Sequence, residues 1–213
     1  MSIPYRLLGC PLPVLGLLLL VGCAQRQDPI NAVAPLAARL PEQLAEFQRV
    51  DITQVATLPP SLGVRYRHPQ TQTTVAVFLR QGADGPWPDG AESPEVQMEI
   101  TASTLAMVAL LGNVPVARVP DYALTPAGET APALRCTTVL VPLQQQMVRR
   151  ETVCATGLNG TLVKVHVSGL HPRDRTDQAF QFFSSTALQA LFALRADGPV
   201  VAPRDASGPV FRL

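Results

Sequence analysis

Basic charge is scarce and nearly uniform in kind. Of 17 lysines and arginines only Lys164 is a lysine, and 16 carboxylates leave a formal net charge of +1. A chain so balanced carries no basic footprint for nucleic acid and no acidic tail. Histidines number three, His68, His166 and His171, with no His-Glu-x-x-His or His-x-x-x-His spacing to hold a metal. The nucleophile patterns Gly-x-Ser-x-Gly and Ser-x-x-Lys are missing, as is a glycine-rich phosphate loop between strand and helix. Without Cys-x-x-Cys there is no redox motif either. These absences point away from an enzyme, and no cofactor is expected. A hydrolase whose residues converge only in space stays open as an alternative.

Long apolar runs are also scarce. The longest, Leu7 to Val21, spans about 15 residues and contains Pro11 and Pro13, short of the about 20 that a spanning helix needs. With Arg6 before it, the run fits the apolar region of a secretory signal. Taken alone, the segment is an ordinary signal peptide or a signal anchor with an incidental cysteine. It closes on Leu20-Val21-Gly22-Cys23, which resembles the lipobox of bacterial lipoproteins. Leu7-Leu8-Gly9-Cys10 matches loosely but precedes the apolar run, so nothing presents it for cleavage. The resemblance implies that residues 1–22 are a lipoprotein signal peptide and that cleavage follows Gly22. It implies diacylglycerol on the Cys23 thiol, an acylated amine, and a membrane-held chain facing the periplasm. Ala24, in place of the aspartate that retains lipoproteins in the inner membrane, implies the outer membrane.

What is present is an ordinary globular composition, 47% hydrophobic and 15% charged. Residues 23–33 are expected to be a lipidated tether and 34–213 a single α+β domain. Leu36, Leu40, Leu44 and Phe47 have helical spacing interrupted by Pro41, which predicts one or two short helical turns. Leu62 to His68 and Thr73 to Arg80 read as a hairpin. Pairing His68 with Thr73 puts Val64 and Tyr66 on one face with Val75, Val77 and Leu79, and Arg65 and Arg67 on the other. Residues 81–92, with Trp87, form a loop by composition. Ser93-Pro94-Glu95 opens a helix that Gly112-Asn113 stops. Another strand is expected within 114–124. Leu134 to Val141, Arg149 to Ala155 and Thr161 to Ser168 predict three consecutive strands, the last two joined at Asn159-Gly160. Arg173 to Leu194 predicts the final helix, ended by Gly198-Pro199 and followed by a loosely ordered tail. The expected architecture is an antiparallel sheet of five to seven strands with the two main helices packed on one face. This order of elements is similar to the domain shared by photosystem PsbP-like proteins and some periplasmic lipoproteins.

Once Cys23 is assigned to lipid, Cys136 and Cys154 remain. A hairpin centred on Gln145 sets them opposite each other, with Cβ atoms about 4.5–5.5 Å apart, close to disulfide range. Continuing the register through Asn159-Gly160 sets Cys154 against Val165, on the apolar side. The bridge would close a loop of about 19 residues and stabilise by about 3 kcal/mol. The alternative is two buried free thiols. Arg65 and Arg67, with Arg149-Arg150 in another strand or turn, could meet anionic head groups, glycan or an envelope protein partner, or be an ordinary solvated face. Trp87 could anchor a partner or pack over the sheet edge. His166 is expected to face solvent beside Lys164, and His171 to lie in a loop. The leading expectation is therefore a non-enzymatic binding component of the cell envelope. A carrier of a small or lipidic ligand, with a pocket between sheet and helices, is the second.

Overall fold

Asn159 and Gly160 take φ of +51° and +74°, the left-handed pair that a two-residue hairpin requires. That turn sets Leu158 opposite Thr161 and fixes every later pair of β7 (Met147–Leu158) and β8 (Thr161–Pro172), Cys154 with Val165 among them. A second turn, with Gln145 and Gln146 at positive φ, joins β6 (Leu134–Pro142) to β7 and sets Cys136 against Cys154. The computed structural model describes residues 29–195. Segment 1–22, Cys23, the turn at Gly198-Pro199 and the tail lie outside the described residues.

The described residues form an α+β fold with one antiparallel eight-stranded sheet, in the order β1-β2-β3-β4-β8-β7-β6-β5. The other strands are β1 (Gln43–Leu44), β2 (Phe47–Val55), β3 (Ser61–Arg67), β4 (Thr74–Gln81) and β5 (Ala117–Leu124). The helices are α1 (Pro29–Ala37), α2 (Pro94–Leu111) and α3 (Thr176–Leu194), the last preceded by a 3-10 turn at Arg173–Arg175. The β3–β4 hairpin has the predicted register, with Tyr66 opposite Val75 and Val64 opposite Val77. The Ser93 hydroxyl accepts from the Val96 N–H at 3.2 Å and caps α2, while Gly112 at φ +61° ends it.

Three expectations need correction. The tether does not extend through residue 33: Pro29 opens α1, whose Val33 and Ala37 are buried against the sheet. The predicted turns over 35–48 are instead the end of α1, β1 and the start of β2. Leu40, Leu44 and Phe47 are buried from a connection and two strands rather than from one helix. The two long helices do not share a face. Strand alternation sends Val64, Val77, Val165, Cys154 and Cys136 to one side, where α1 and α3 cover them. Val139, Val153, Ala155 and Leu162 point to the other side, where Val96, Ile100 and Met107 of α2 meet them. The fold is thus a three-layer one, with helices on both faces of the sheet. No described helix is long and apolar enough to cross a membrane.

The loop 81–92 is clasped back onto the β7–β8 hairpin. Trp87 donates its backbone N–H to Gly160 O, and Gly90 and Gly157 exchange both backbone hydrogen bonds, each at 3.0 Å. The approach is close enough that a Cβ on Gly157 would fall 1.8 Å from Pro88 O.

Candidate functional site

α2 packs on the outer sheet face over β6 and β7 and reaches Arg80, Leu162 and Lys164 at one end of β4 and β8, while Arg65 and Arg67 of β3 stay exposed on that face. The register places Arg65 beside Ala76, Ala76 beside His166, and Ser168 beside Glu151 on this face. Arg67, two residues from Arg65, is exposed on the same side. Arg149 joins them from β7. Arg150 does not, because neighbouring strand residues point to opposite faces. It is buried under α3, 2% exposed.

The charges on the open face are largely tied together. Arg65 Nε donates to Asp51 at 2.8 Å, and this bond, with the guanidinium charge, holds the Asp51 carboxyl below its usual range. Glu99 on α2 accepts from Arg80 Nη2 at 2.6 Å and from Lys164 Nζ at 2.8 Å, pinning the helix to β4 and β8. Glu151, buried on β7, accepts from His166 Nε2 at 2.7 Å, from Ser168 Oγ at 2.9 Å, and from Arg149. Burial pushes its carboxyl up, but the His166 and Ser168 bonds and the Arg149 charge outweigh this and hold it below the ordinary value.

Serine, histidine and carboxylate meet here in an order unsuited to nucleophilic catalysis. Ser168 donates to the carboxylate rather than to the imidazole, and His166 uses Nε2–H on that same carboxylate. An ionised carboxylate held at low pKa is a weak base, so the serine is not activated. The arrangement is an ion-pair lattice.

Beside α2 a groove of about 210 Å³ is lined by Val55, Thr57, Ser61, Phe78, Arg80, Leu162 and Lys164. Gly63 shapes its floor, since a Cβ there would press to 3.3 Å on the Phe78 ring and on Val55. The volume lies below the roughly 300–1,000 Å³ of small-molecule sites.

Cys136 and Cys154 form a disulfide, fully buried on the α3 side. Trp87 packs against the α2 cluster, with Arg80 5.5 Å from its ring, so it serves the loop clasp rather than a free surface. His68 Nε2 lies 3.0 Å from Glu46 while Nδ1 accepts from the Gln70 N–H. His166 does lie beside Lys164 on one face, half-buried. His171 is not in a loop: β8 runs on to Pro172 and buries it completely. Among the described residues no group of three or more histidine, cysteine, aspartate or glutamate side chains converges to hold a metal.

The second polar cluster, beneath α3, went unread in the sequence. Arg150 reaches Thr176 O through Nη2 only at 3.5 Å, while Nε and Nη1 have no partner among the described residues. His171 holds Pro172 O at 2.8 Å through Nδ1, leaving Nε2 without a partner among the described residues. Val148 pairs with His171 and Arg150 with Gly169, so Arg150 and His171 are diagonal neighbours on one face. Tyr122, Thr138 and Thr152 continue the cluster, with hydroxyls 3.3 and 2.9 Å apart in turn. Strand alternation through Arg149-Arg150 was the available signal, since one of two adjacent arginines must face inward.

No protein-family model matches the chain. No curated protein matches it either.

Proposed function

We propose that the chain is a lipid-anchored, non-enzymatic component of the bacterial cell envelope. It is held by acylated Cys23 on the periplasmic side, in the outer rather than the inner membrane. The observation that carries this reading is Leu20-Val21-Gly22-Cys23 at the end of a short apolar run. The Cys136–Cys154 bridge supports it, since structural disulfides belong to oxidising compartments such as the periplasm. Two or three acyl chains anchor stably where one does not, at about 0.8 kcal/mol per buried methylene. Once anchored, the domain binds an envelope component through the open sheet face bearing Arg65 and Arg67.

Growth with a clickable fatty-acid analogue tests the anchor. The expected result is a labelled mature chain in the membrane fraction, and a Cys23→Ser form that is unlabelled and released. An unlabelled wild-type chain, or a Cys23→Ser form that still matures and sediments with membrane, overturns it. A photo-crosslinker at position 67 tests the face. One reproducible adduct, lost in Arg65→Glu, is expected.

A further inference from the structure

Among the described residues Arg150 is the largest fully buried side chain, and none of their carboxylates pairs with it. Burial pushes its guanidinium pKa down, opposed by the Tyr122 hydroxyl and the Asp177 carboxylate nearby. A buried cation with open donors is among the least tolerated arrangements in a protein interior. Around it the walls are aromatic. The rings of Phe180 and Phe183 lie 6.0 and 5.9 Å from the guanidinium carbon, and Tyr122 packs on Phe180 at 5.1 Å. Phe180 is 36% exposed and is the outermost of these rings. Thr176, whose carbonyl Arg150 approaches, is the first residue of the 19-residue α3, so the positive end of the helix dipole lies over the same spot.

We propose that this cluster is a binding site for a small monocarboxylate carried on an apolar body. The carboxylate accepts along the Nη1–Nη2 edge of Arg150, Nη2 giving up its long 3.5 Å approach to Thr176 O, and the body lies against Phe180 after that ring swings aside. The charge count selects one negative charge. A single guanidinium neutralises one carboxylate, and Asp177, whose charge acts on Arg150, is itself an anion, so a dianion would leave charge uncompensated. His171 does not compete. Pro172 O can only accept, so Nδ1 carries the ring proton and Nε2 is an acceptor, suited to a water or hydroxyl beside the bound carboxylate. The site does not depend on the lipid anchor.

Calorimetric titration of the full chain with sodium benzoate, benzamide and inorganic phosphate tests the site. Saturable benzoate binding is expected, at least tenfold tighter than benzamide, which has the same shape without the charge, and tighter than phosphate. In Arg150→Met the benzoate preference over benzamide should vanish, with far-ultraviolet circular dichroism confirming the fold. If that variant does not fold, the three-ligand comparison on the unaltered chain decides alone. No saturable benzoate binding, or equal affinity for benzoate and benzamide, overturns the site. Phosphate binding as tightly as benzoate overturns the monocarboxylate assignment.

Discussion

Cys136 and Cys154 stand directly opposite on β6 and β7, with Cα atoms 4.0 Å apart and both sulfurs in the core between sheet and α3. The bridge spans 18 residues of sequence, so it removes modest loop entropy from the unfolded chain. Replacing both cysteines by alanine should cost about 3 kcal/mol in urea unfolding, with the fold retained. Two freely alkylated thiols in the native protein would show that the bridge does not form.

Arg150→Met should raise stability rather than lower it. The cation is buried without a carboxylate, and an apolar side chain of similar length removes the desolvation cost while keeping contact with Phe180 and Phe183. A gain of about 1–3 kcal/mol in denaturant unfolding is expected. A loss of that size would mean the guanidinium is satisfied in solution. A stabilising change at the proposed site fits the common trade between stability and function.

Acid should weaken the fold in two steps. Burial, with the Arg150 charge, pushes His171 below its usual value against the pull of its bond to Pro172 O. The unfolded chain therefore takes up that proton first, and stability falls as pH drops below about 6.5. Glu151 is also depressed, and its contribution is complete above about pH 5 and lost as pH falls through its lower folded value. Unfolding free energy measured from pH 8 to pH 3 should show both losses. His171→Gln should remove the upper step and Glu151→Gln its share of the lower one.

Gly157→Ala should be costly although alanine is small. Its Cβ would collide with Pro88 O, so either the clasp of 81–92 opens or β7 shifts. A loss of about 2–3 kcal/mol is expected. Faster amide exchange at Gly90 and Trp87 would identify the clasp as the part that gives way.

The best-marked elements were legible because each had a local physical signature. Asn159-Gly160 fixed one register, the Ser93-Pro94 cap and Gly112 bounded α2, and the two cysteines identified the β6–β7 pairing. β2 was missed because Phe47–Val55 is a near-edge strand in which Val50 and Ile52 are exposed while Arg49 and Asp51 are the partly buried residues, so apolar alternation does not mark its inner side. The face taken by α2 was hidden for the opposite reason. Met98, Leu105 and Leu110 are apolar yet exposed, so apolar residues encircle the helix and do not announce its packed side. Of the candidate binding face, only Arg65 and Arg67 were placed together by pattern, and Arg149 was read with Arg150 as a pair on another strand or turn. The partners Asp51, Glu99 and Glu151 come from other elements, and only the folded chain brings them near.

The β4–β8 seam joins residues 74–81 to 161–168, and all of α2, β5, β6 and β7 lie between them in sequence. Every other neighbouring pair of strands is consecutive along the chain. The first four strands can therefore assemble early but keep a bare β4 edge until β8 arrives from far downstream. Closing such a distant pair is slow, because the loop entropy is lost before the contacts form. Until then β4 presents Val75, Val77 and Leu79 on an unpaired strand, an invitation to other chains. Folding rate and aggregation during synthesis should thus be governed by this one seam, whereas the β6–β7–β8 meander can form and oxidise on its own schedule.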